Sequence, residues 1–307
     1  MIKKIFPAFG TINTVTLFGG CNSSILDKIK QTILEMHNCF SFFSPDSEIY
    51  KINQNAGIHP VAVSEDTFYL LSLALEYAKE TKGKFDVTVG SISKLWKNAI
   101  RSGTLPTEEE IKYCQTQCGI KNLELDKVHG TAFLHKKGVK LDLGGIVKGY
   151  AADKARSMLQ EQGIEDAQIN FGGTVIAMGK MQKIGIQNPF QKTGTTMVSI
   201  ALKDKAIVTS GSYEQCFFHQ GKRFHHIIDP QTGKPSCSGL LSISLIGDKA
   251  VTLDVLATGV CCLGQEDGIP ILHKHGISAV FVTDNGSVQV TPELQEQISF
   301  YGSIMYF

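Results

Sequence analysis

The chain has 307 residues, of which 42% are hydrophobic and 19% charged, a globular balance that excludes a disordered chain. Thirty basic against 29 acidic side chains leave a formal net charge of +1, so no basic surplus points to a nucleic-acid groove, and no nucleic-acid partner is expected. No run of 18 apolar residues is present, and no transmembrane segment is expected.

Met1-Ile2-Lys3-Lys4 resembles the charged front of a signal peptide, but Pro7, Gly10, Thr11 and Asn13 interrupt the apolar stretch that should follow. The reading is a chain without an export signal and a cytoplasmic location; a leader already removed would leave the same start and an extracytoplasmic one. The eight cysteines, Cys21, Cys39, Cys114, Cys118, Cys216, Cys237, Cys261 and Cys262, are scattered through a large chain. Reduced thiols fit this better than a disulfide scaffold. Cys114 and Cys118 lie four apart on an expected helix, without the further Cys or His pair of a zinc site.

In chain order, residues 11–18 read as a strand, and the spacing of Ile25, Ile29, Ile33, Met36 and Phe40 predicts a helix over Ser24 to Phe40. A second helix is expected over Glu65 to Thr81. Thr107 and Glu110 form a capping box that opens a third, stopped by Gly119. Residues 138–143 read as a strand that turns at Gly144-Gly145 into a helix ending near Gly163. Strands are expected at 167–171, 196–201, 206–209, 223–228, 241–246, 278–283 and 287–291, and a helix over Ala250 to Leu263. Helices dominate early and strands late, without regular βαβ alternation. The expected fold class is therefore α+β, with mixed or antiparallel sheets packed with helices, in one domain over residues 1–307 or in two interleaved lobes.

Three segments carry candidate chemistry. In Leu141-Asp142-Leu143-Gly144-Gly145-Ile146-Val147-Lys148-Gly149-Tyr150, glycines permit close backbone approach, and a helix N-terminus beside Lys148 suits a phosphate. The plain alternative is a strand-to-helix turn with a solvated lysine. In Thr252-Leu253-Asp254-Val255-Leu256-Ala257-Thr258-Gly259, Asp254 and Thr258 share one face of an apolar helix. A carboxylate there needs a partner: a hard cation with oxygen ligands, or a nearby backbone group. In Arg223 through Pro235, a strand with His225 and His226 runs into an Asp-Pro-Gln-Thr-Gly turn. Either histidine suits proton transfer from a hydroxyl, but adjacent strand residues face opposite ways, so at most one serves a given site. Phe85-Asp86-Val87-Thr88-Val89-Gly90, Val208-Thr209-Ser210-Gly211-Ser212-Tyr213 and Ser44 through Asn53 are polar turns that alone read as loops.

Taken in order, with Phe9-Gly10-Thr11, Ser47-Glu48-Ile49…Asn53, Lys148-Gly149-Tyr150-Ala151-Ala152-Asp153 and Gly172-Gly173, these segments resemble the ApbE family of FAD:protein FMN transferases over residues 6 to 290. The resemblance implies that Asp254, Thr258 and the backbone carbonyl of Gly145 bind Mg²⁺ and that Lys148 touches FAD. It implies that Asp86 and the segment Ser47, Glu48, Ile49 line the adenine and ribose region, with Phe9 near the flavin nucleotide at a position usually held by Met. Asp254 would be catalytic through the metal, and His226, directly before Ile-Ile-Asp-Pro, would be the general base. Departures are Phe9 for Met, Val147, Val255 and Gly259 for Ala, and Thr174 where Asn, Asp or Glu is common.

The implied activity is cleavage of the FAD pyrophosphate, with FMN attached to Thr or Ser of an acceptor flavoprotein bearing an Asp-Gly-x-Ser/Thr-Gly-Ala-Thr type sequence, and release of AMP. FAD would be substrate rather than redox cofactor. Three alternatives keep much of the site: an FAD pyrophosphatase that uses water, a non-catalytic flavin-binding protein, and an Mg²⁺-dependent nucleotide hydrolase with no flavin preference.

Overall fold

The computed structural model describes residues 1–19 and 23–301; Cys21, read above as a reduced thiol, lies outside them. The fold class is the α+β expected, with helices α1 (Ser24–Cys39), α2 (Glu48–Gln54), α3 (Glu65–Glu80), α4 (Gly90–Ser102), α5 (Glu108–Thr116), α6 (Val147–Glu161), α7 (Ala250–Leu263) and α8 (Gln265–Lys274). The main sheet has eight strands: β1 (Ile2–Ala8), β2 (Thr11–Leu17), β3 (Ala167–Phe171), β4 (Thr174–Met178), β5 (Lys205–Gly211), β6 (Leu240–Gly247), β7 (Ser278–Thr283) and β8 (Val288–Val290). They lie side by side in that order, every pair antiparallel.

Side-chain alternation explains how this sheet is covered on both faces. Ala206 and Val208 of β5 join the helical core, whereas Ile207 between them packs with Val198, Ile200 and Ile184 of a second, three-stranded sheet. In β6, Ile243 and Leu245 face the helices, while Leu241 and Ile246 face the second sheet, so the whole strand is buried. Helix α7 is apolar nearly all round and sits in the helical core, as the period-free hydrophobicity of its sequence requires. It crosses α6 closely: a Cβ on Gly149 would meet the carbonyl oxygen of Ala250 at 2.3 Å.

Several sequence expectations change. Residues 138–143 are not a strand; they make one isolated parallel bridge, Val89 to Lys140. The backbone groups of Leu141 are taken by a side chain, with Asn53 Nδ2 donating to its carbonyl at 3.1 Å and its N–H donating to Asn53 Oδ1 at 2.6 Å. The expected strand 223–228 is broken at His226-Ile227, between the strands Lys222–His225 and Ile228–Asp229. Strand β1 and helices α2, α4 and α8 were not expected. The capping box is present at α5 as read. No helix among the described residues is long and apolar enough to cross a membrane.

Candidate active site

A cleft of about 300 Å³ lies where the β1–β2 turn, the start of α4, the Asp142–Lys148 segment, the end of β5, the His226–Pro230 segment and α7 converge. Its lining includes Phe9, Asp86, Gly145, Lys148, His226, Asp254 and Thr258. Residues from seven separate stretches of sequence therefore meet in one place.

Asp254 is 2% exposed. Its Oδ2 accepts the backbone N–H of Gly149 at 2.9 Å, so this carboxylate caps a donor left open in the first turn of α6. Its Oδ1 faces Lys148, whose Nζ stands 3.9 Å away, too far for a hydrogen bond. One oxygen of a buried carboxylate thus lacks a close compensating partner, which is costly unless a cation supplies it. Thr258 Oγ1 donates to the Asp254 carbonyl at 3.2 Å, one helical turn back, leaving its lone pairs open. A Cβ on Gly145 would fall 3.0 Å from that hydroxyl; glycine lets this backbone lie against Thr258. Carboxylate, hydroxyl and backbone carbonyl are hard oxygen donors and fit Mg²⁺. No group of three or more His, Cys, Asp or Glu side chains suited to a metal occurs among the described residues. A transition-metal or zinc cage is therefore not the pattern, whereas Mg²⁺ commonly relies on few carboxylates plus water and phosphate oxygens.

The turn before α6 is less open to phosphate than its sequence suggests. The Val147 N–H bonds the Leu143 carbonyl, and Gly149 N–H is occupied by Asp254. Positive charge comes instead from side chains. Lys84 and Lys97 line the cleft but hold Asp229 and Asp142 at 2.7 and 2.8 Å. Lys148 has only the longer approach to Asp254 and is the best placed of the three for an incoming anion. Burial opposes ionisation of Asp142, yet Lys97, the Ser93 hydroxyl and the Gly144 N–H outweigh it and hold this carboxyl below its ordinary range. Glu214 also lines the cleft, its pKa raised by burial against the pull of Lys148.

Of the adjacent histidines, His226 lines the cleft and His225 does not. The His226 Nδ1 lies 3.4 Å from the carbonyl oxygen of Gln215. A carbonyl only accepts, so Nδ1 carries the proton and Nε2 of the neutral ring is an acceptor. Burial pushes the His226 pKa down to about 4, with His225, Lys148 and Lys97 adding to the effect. His225 is buried, its Nε2 at 3.2 Å from the Ser236 carbonyl and its Nδ1 without a partner.

The other sequence candidates separate. Asp86 is at the cleft, but its oxygens are already used: Oδ1 accepts from the Thr88 N–H and hydroxyl, and Oδ2 from the Ile120 N–H. Burial nevertheless raises its pKa. Ser47, Glu48 and Ile49 do not line the cleft. Ser47 N-caps α2, Glu48 accepts from the Ser64 N–H and hydroxyl at the start of α3, and Ile49 is fully buried in the core. Phe9 is at the rim, in the β1–β2 turn. Cys118 donates to the Cys114 carbonyl and burial pushes its thiol up to about 12, so this pair shows no thiolate character. Sequence reasoning did not single out Lys84, Ser93, Lys97, Asp142 or Glu214. Each adjoins a recognised motif or lies within one, or sits in the first two turns of a helix that was missed.

Residues 9–281 match the model of the ApbE family. A curated protein from Klebsiella pneumoniae, named FAD:protein FMN transferase, is 32% identical over 268 residues, covering 87% of this chain and 84% of its own length. A protein of the same name from Treponema pallidum is 28% identical over 292 residues, covering 89% and 81%. Among solved structures, the ApbE protein of Thermotoga maritima superposes with a TM-score of 0.87 at 30% identity, covering 96% of this chain and 98% of its own. The flavin transferase ApbE of Vibrio cholerae superposes at 0.82 with 26% identity, covering 96% and 98%.

Proposed function

The chain belongs to the ApbE family, and on that premise we propose that it is an Mg²⁺-dependent FAD:protein FMN transferase. One observation carries the proposal. A buried carboxylate with one oxygen free of hydrogen bonds, Asp254, stands in a single cleft with Thr258, the Gly145 backbone, Lys148 and a neutral histidine, His226. The name shared by the relatives from Klebsiella pneumoniae and Treponema pallidum supports the choice of FAD as substrate.

Asp254, Thr258 and the Gly145 carbonyl would hold Mg²⁺, which when bound supplies charge neutralisation at pyrophosphate oxygens. The chain's own groups do the rest. Lys148 binds a phosphate oxygen that it can reach without surrendering a short ion pair. Asp86 lines one side of the nucleotide site but, with both oxygens engaged, it shapes that side more than it donates charge. The Ser47–Ile49 segment has no part in the proposal, because it serves the α2 and α3 starts outside the cleft.

In the transfer step, the hydroxyl oxygen of an acceptor Thr or Ser forms a bond to the FMN-side phosphorus of FAD. The phosphoanhydride bond breaks, and AMP leaves with the bridging oxygen. The hydroxyl proton passes to His226 Nε2, the ring nitrogen left free when Nδ1 faces Gln215. The expected acceptor sequence is of the Asp-Gly-x-Ser/Thr-Gly-Ala-Thr type.

The test incubates the protein with FAD, Mg²⁺ and an Asp-Gly-x-Thr-Gly-Ala-Thr peptide and reads the masses of peptide and nucleotides. A peptide heavier by FMN less water, together with free AMP, is the expected result. FMN and AMP beside an unmodified peptide and an unmodified protein-length acceptor would replace transfer by hydrolysis. Intact FAD throughout would end the enzymatic reading.

A further inference from the structure

The β1–β2 hairpin closes through the two-residue turn Phe9-Gly10, between the paired residues Ala8 and Thr11. Both turn residues are left-handed, with φ of 53° and 74°, as a type I′ turn requires. Asn-Gly or Asp-Gly is the usual pair in such turns, and phenylalanine is a poor choice for the first position. A group outside the turn compensates. His37, in the last turn of α1, accepts the Phe9 backbone N–H on Nδ1 at 3.2 Å. Its ring also meets the Phe9 ring edge-on, with centroids 5.3 Å apart and planes at 88°.

The residues that flank the turn are held as well. Asn13 Nδ2 donates to the Ala8 carbonyl at 3.1 Å, and a Cβ on Gly172 would strike Thr11 Oγ1 at 2.2 Å. The end of α1 also bears on α6, where Phe40 packs edge-on to Tyr150 at 6.5 Å, two residues beyond Lys148. Phe9 lines the cleft and His37 does not.

We infer that His37 is a positioning residue of the cleft: it fixes the Phe9 turn so that the Phe9 ring stands as a rigid aromatic wall against a planar ring of the bound dinucleotide. This rests on FAD being that dinucleotide. A wall held before the ligand arrives has no ordering cost at binding, and aromatic contact rewards fixed geometry. The effect of His37 is confined to substrate affinity, because it reaches the ligand through Phe9 alone.

The experiment is a double-mutant cycle of His37→Ala and Phe9→Ala, read by FAD binding through flavin fluorescence and by KM and kcat for AMP release. His37→Ala is expected to weaken FAD binding and raise KM about tenfold, the size of a lost hydrogen bond and ring contact, while kcat moves less than about threefold. In the Phe9→Ala background, His37→Ala should change FAD binding by less than about twofold. His37→Asn, which keeps an acceptor near the Nδ1 position, should recover part of the loss and serves if the alanine variant does not fold. Wild-type affinity in His37→Ala, or an equal loss with and without Phe9, overturns the positioning role and leaves the transferase reading intact. Binding that follows the cycle, in a wild-type protein that releases no AMP, supports the wall and overturns the transferase reading. Wild-type protein that fails to bind FAD overturns both.

Discussion

Asp254 has two separable duties, and replacing it by Asn and by Ala divides them. Its Oδ2 caps the Gly149 N–H in the first turn of α6, and on the proposed reading its Oδ1 is the oxygen that takes the cation. Asn keeps an oxygen acceptor for Gly149 but removes the negative charge. Asp254→Asn should therefore stay within about 1 °C of the wild-type Tm without metal, since the cap survives. Asp254→Ala loses the cap and leaves a buried N–H unpaired, at a cost of about 2 kcal/mol, or about 3 °C. Both variants should lose AMP release by about 10³-fold or more, because several kcal/mol of charge stabilisation depend on the metal. A calorimetric series gives a readout independent of turnover. Mg²⁺ at about 100 times its Kd should stabilise the wild type by about 2.7 kcal/mol and neither variant. An Asp254→Asn protein that gains the wild-type increment on Mg²⁺ addition, or that turns over FAD at the wild-type rate, refutes the metal assignment. Equal instability of the two variants without metal refutes the capping duty.

His226→Gln should lower FMN transfer by about 10²- to 10³-fold with little change in FAD binding, measured by peptide mass and fluorescence titration. With a pKa of about 4, His226 stays neutral from pH 5 to 8, so the transfer rate should show no His226 inflection there. The folded protein binds fewer protons at His226 than the unfolded chain between its ordinary value near 6.5 and about 4. Stability must then fall as pH drops through that window, and a Tm-against-pH series should show a shallower fall in His226→Gln. Asn53→Ala leaves both backbone groups of Leu141 without their partner. It should cost about 3 kcal/mol in urea unfolding, and hydrogen exchange should rise in the segment that carries Gly144-Gly145. Gly259→Ala restores the residue usual in the family, but its Cβ would meet Thr81 Cγ2 at 2.6 Å. It should destabilise by about 1–3 kcal/mol alone and by less than about 1 kcal/mol when paired with Thr81→Ser, which removes that methyl.

What could be read in advance, and what could not, follows the range of the interactions involved. The α1 and α3 patterns are local and periodic and α7 is a local apolar run, and all three helices lie where the sequence put them. Asp254 and Thr258 belong together because a helix places i and i+4 on one face, and the turn-to-turn hydrogen bond from Thr258 to the Asp254 carbonyl keeps them so. Helix α4 was equally readable: Ile92, Trp96 and Ala99 keep helical spacing and are buried, but its glycine start and serines concealed it. Missing α4 also concealed Ser93 and Lys97, which reach Asp142 from its first two turns.

The non-local pieces had no such signal. Asn53 replaces a strand partner for Leu141 across 88 residues, so a segment rich in alternating apolar residues looked like a strand and is not one. Ser47-Glu48-Ile49 looked like a ligand segment because a helix start and a binding turn use the same residue types: a hydroxyl that accepts from the backbone, then a carboxylate. The Ser47 hydroxyl accepts from Tyr50 N–H within the chain's own α2, and Glu48 Oε2 accepts from Ser64, so both residues are tied to helix starts outside the cleft. Asp254 escapes the same objection for a specific reason. Its backbone partner occupies one oxygen, and the other faces Lys148 at 3.9 Å. Motif composition alone does not separate these cases. What separates them is how many lone pairs the fold has already consumed and whether the group lines the cleft: Asp86 lines it with both oxygens engaged, Glu48 lies outside it, and Asp254 lines it with one oxygen free of hydrogen bonds.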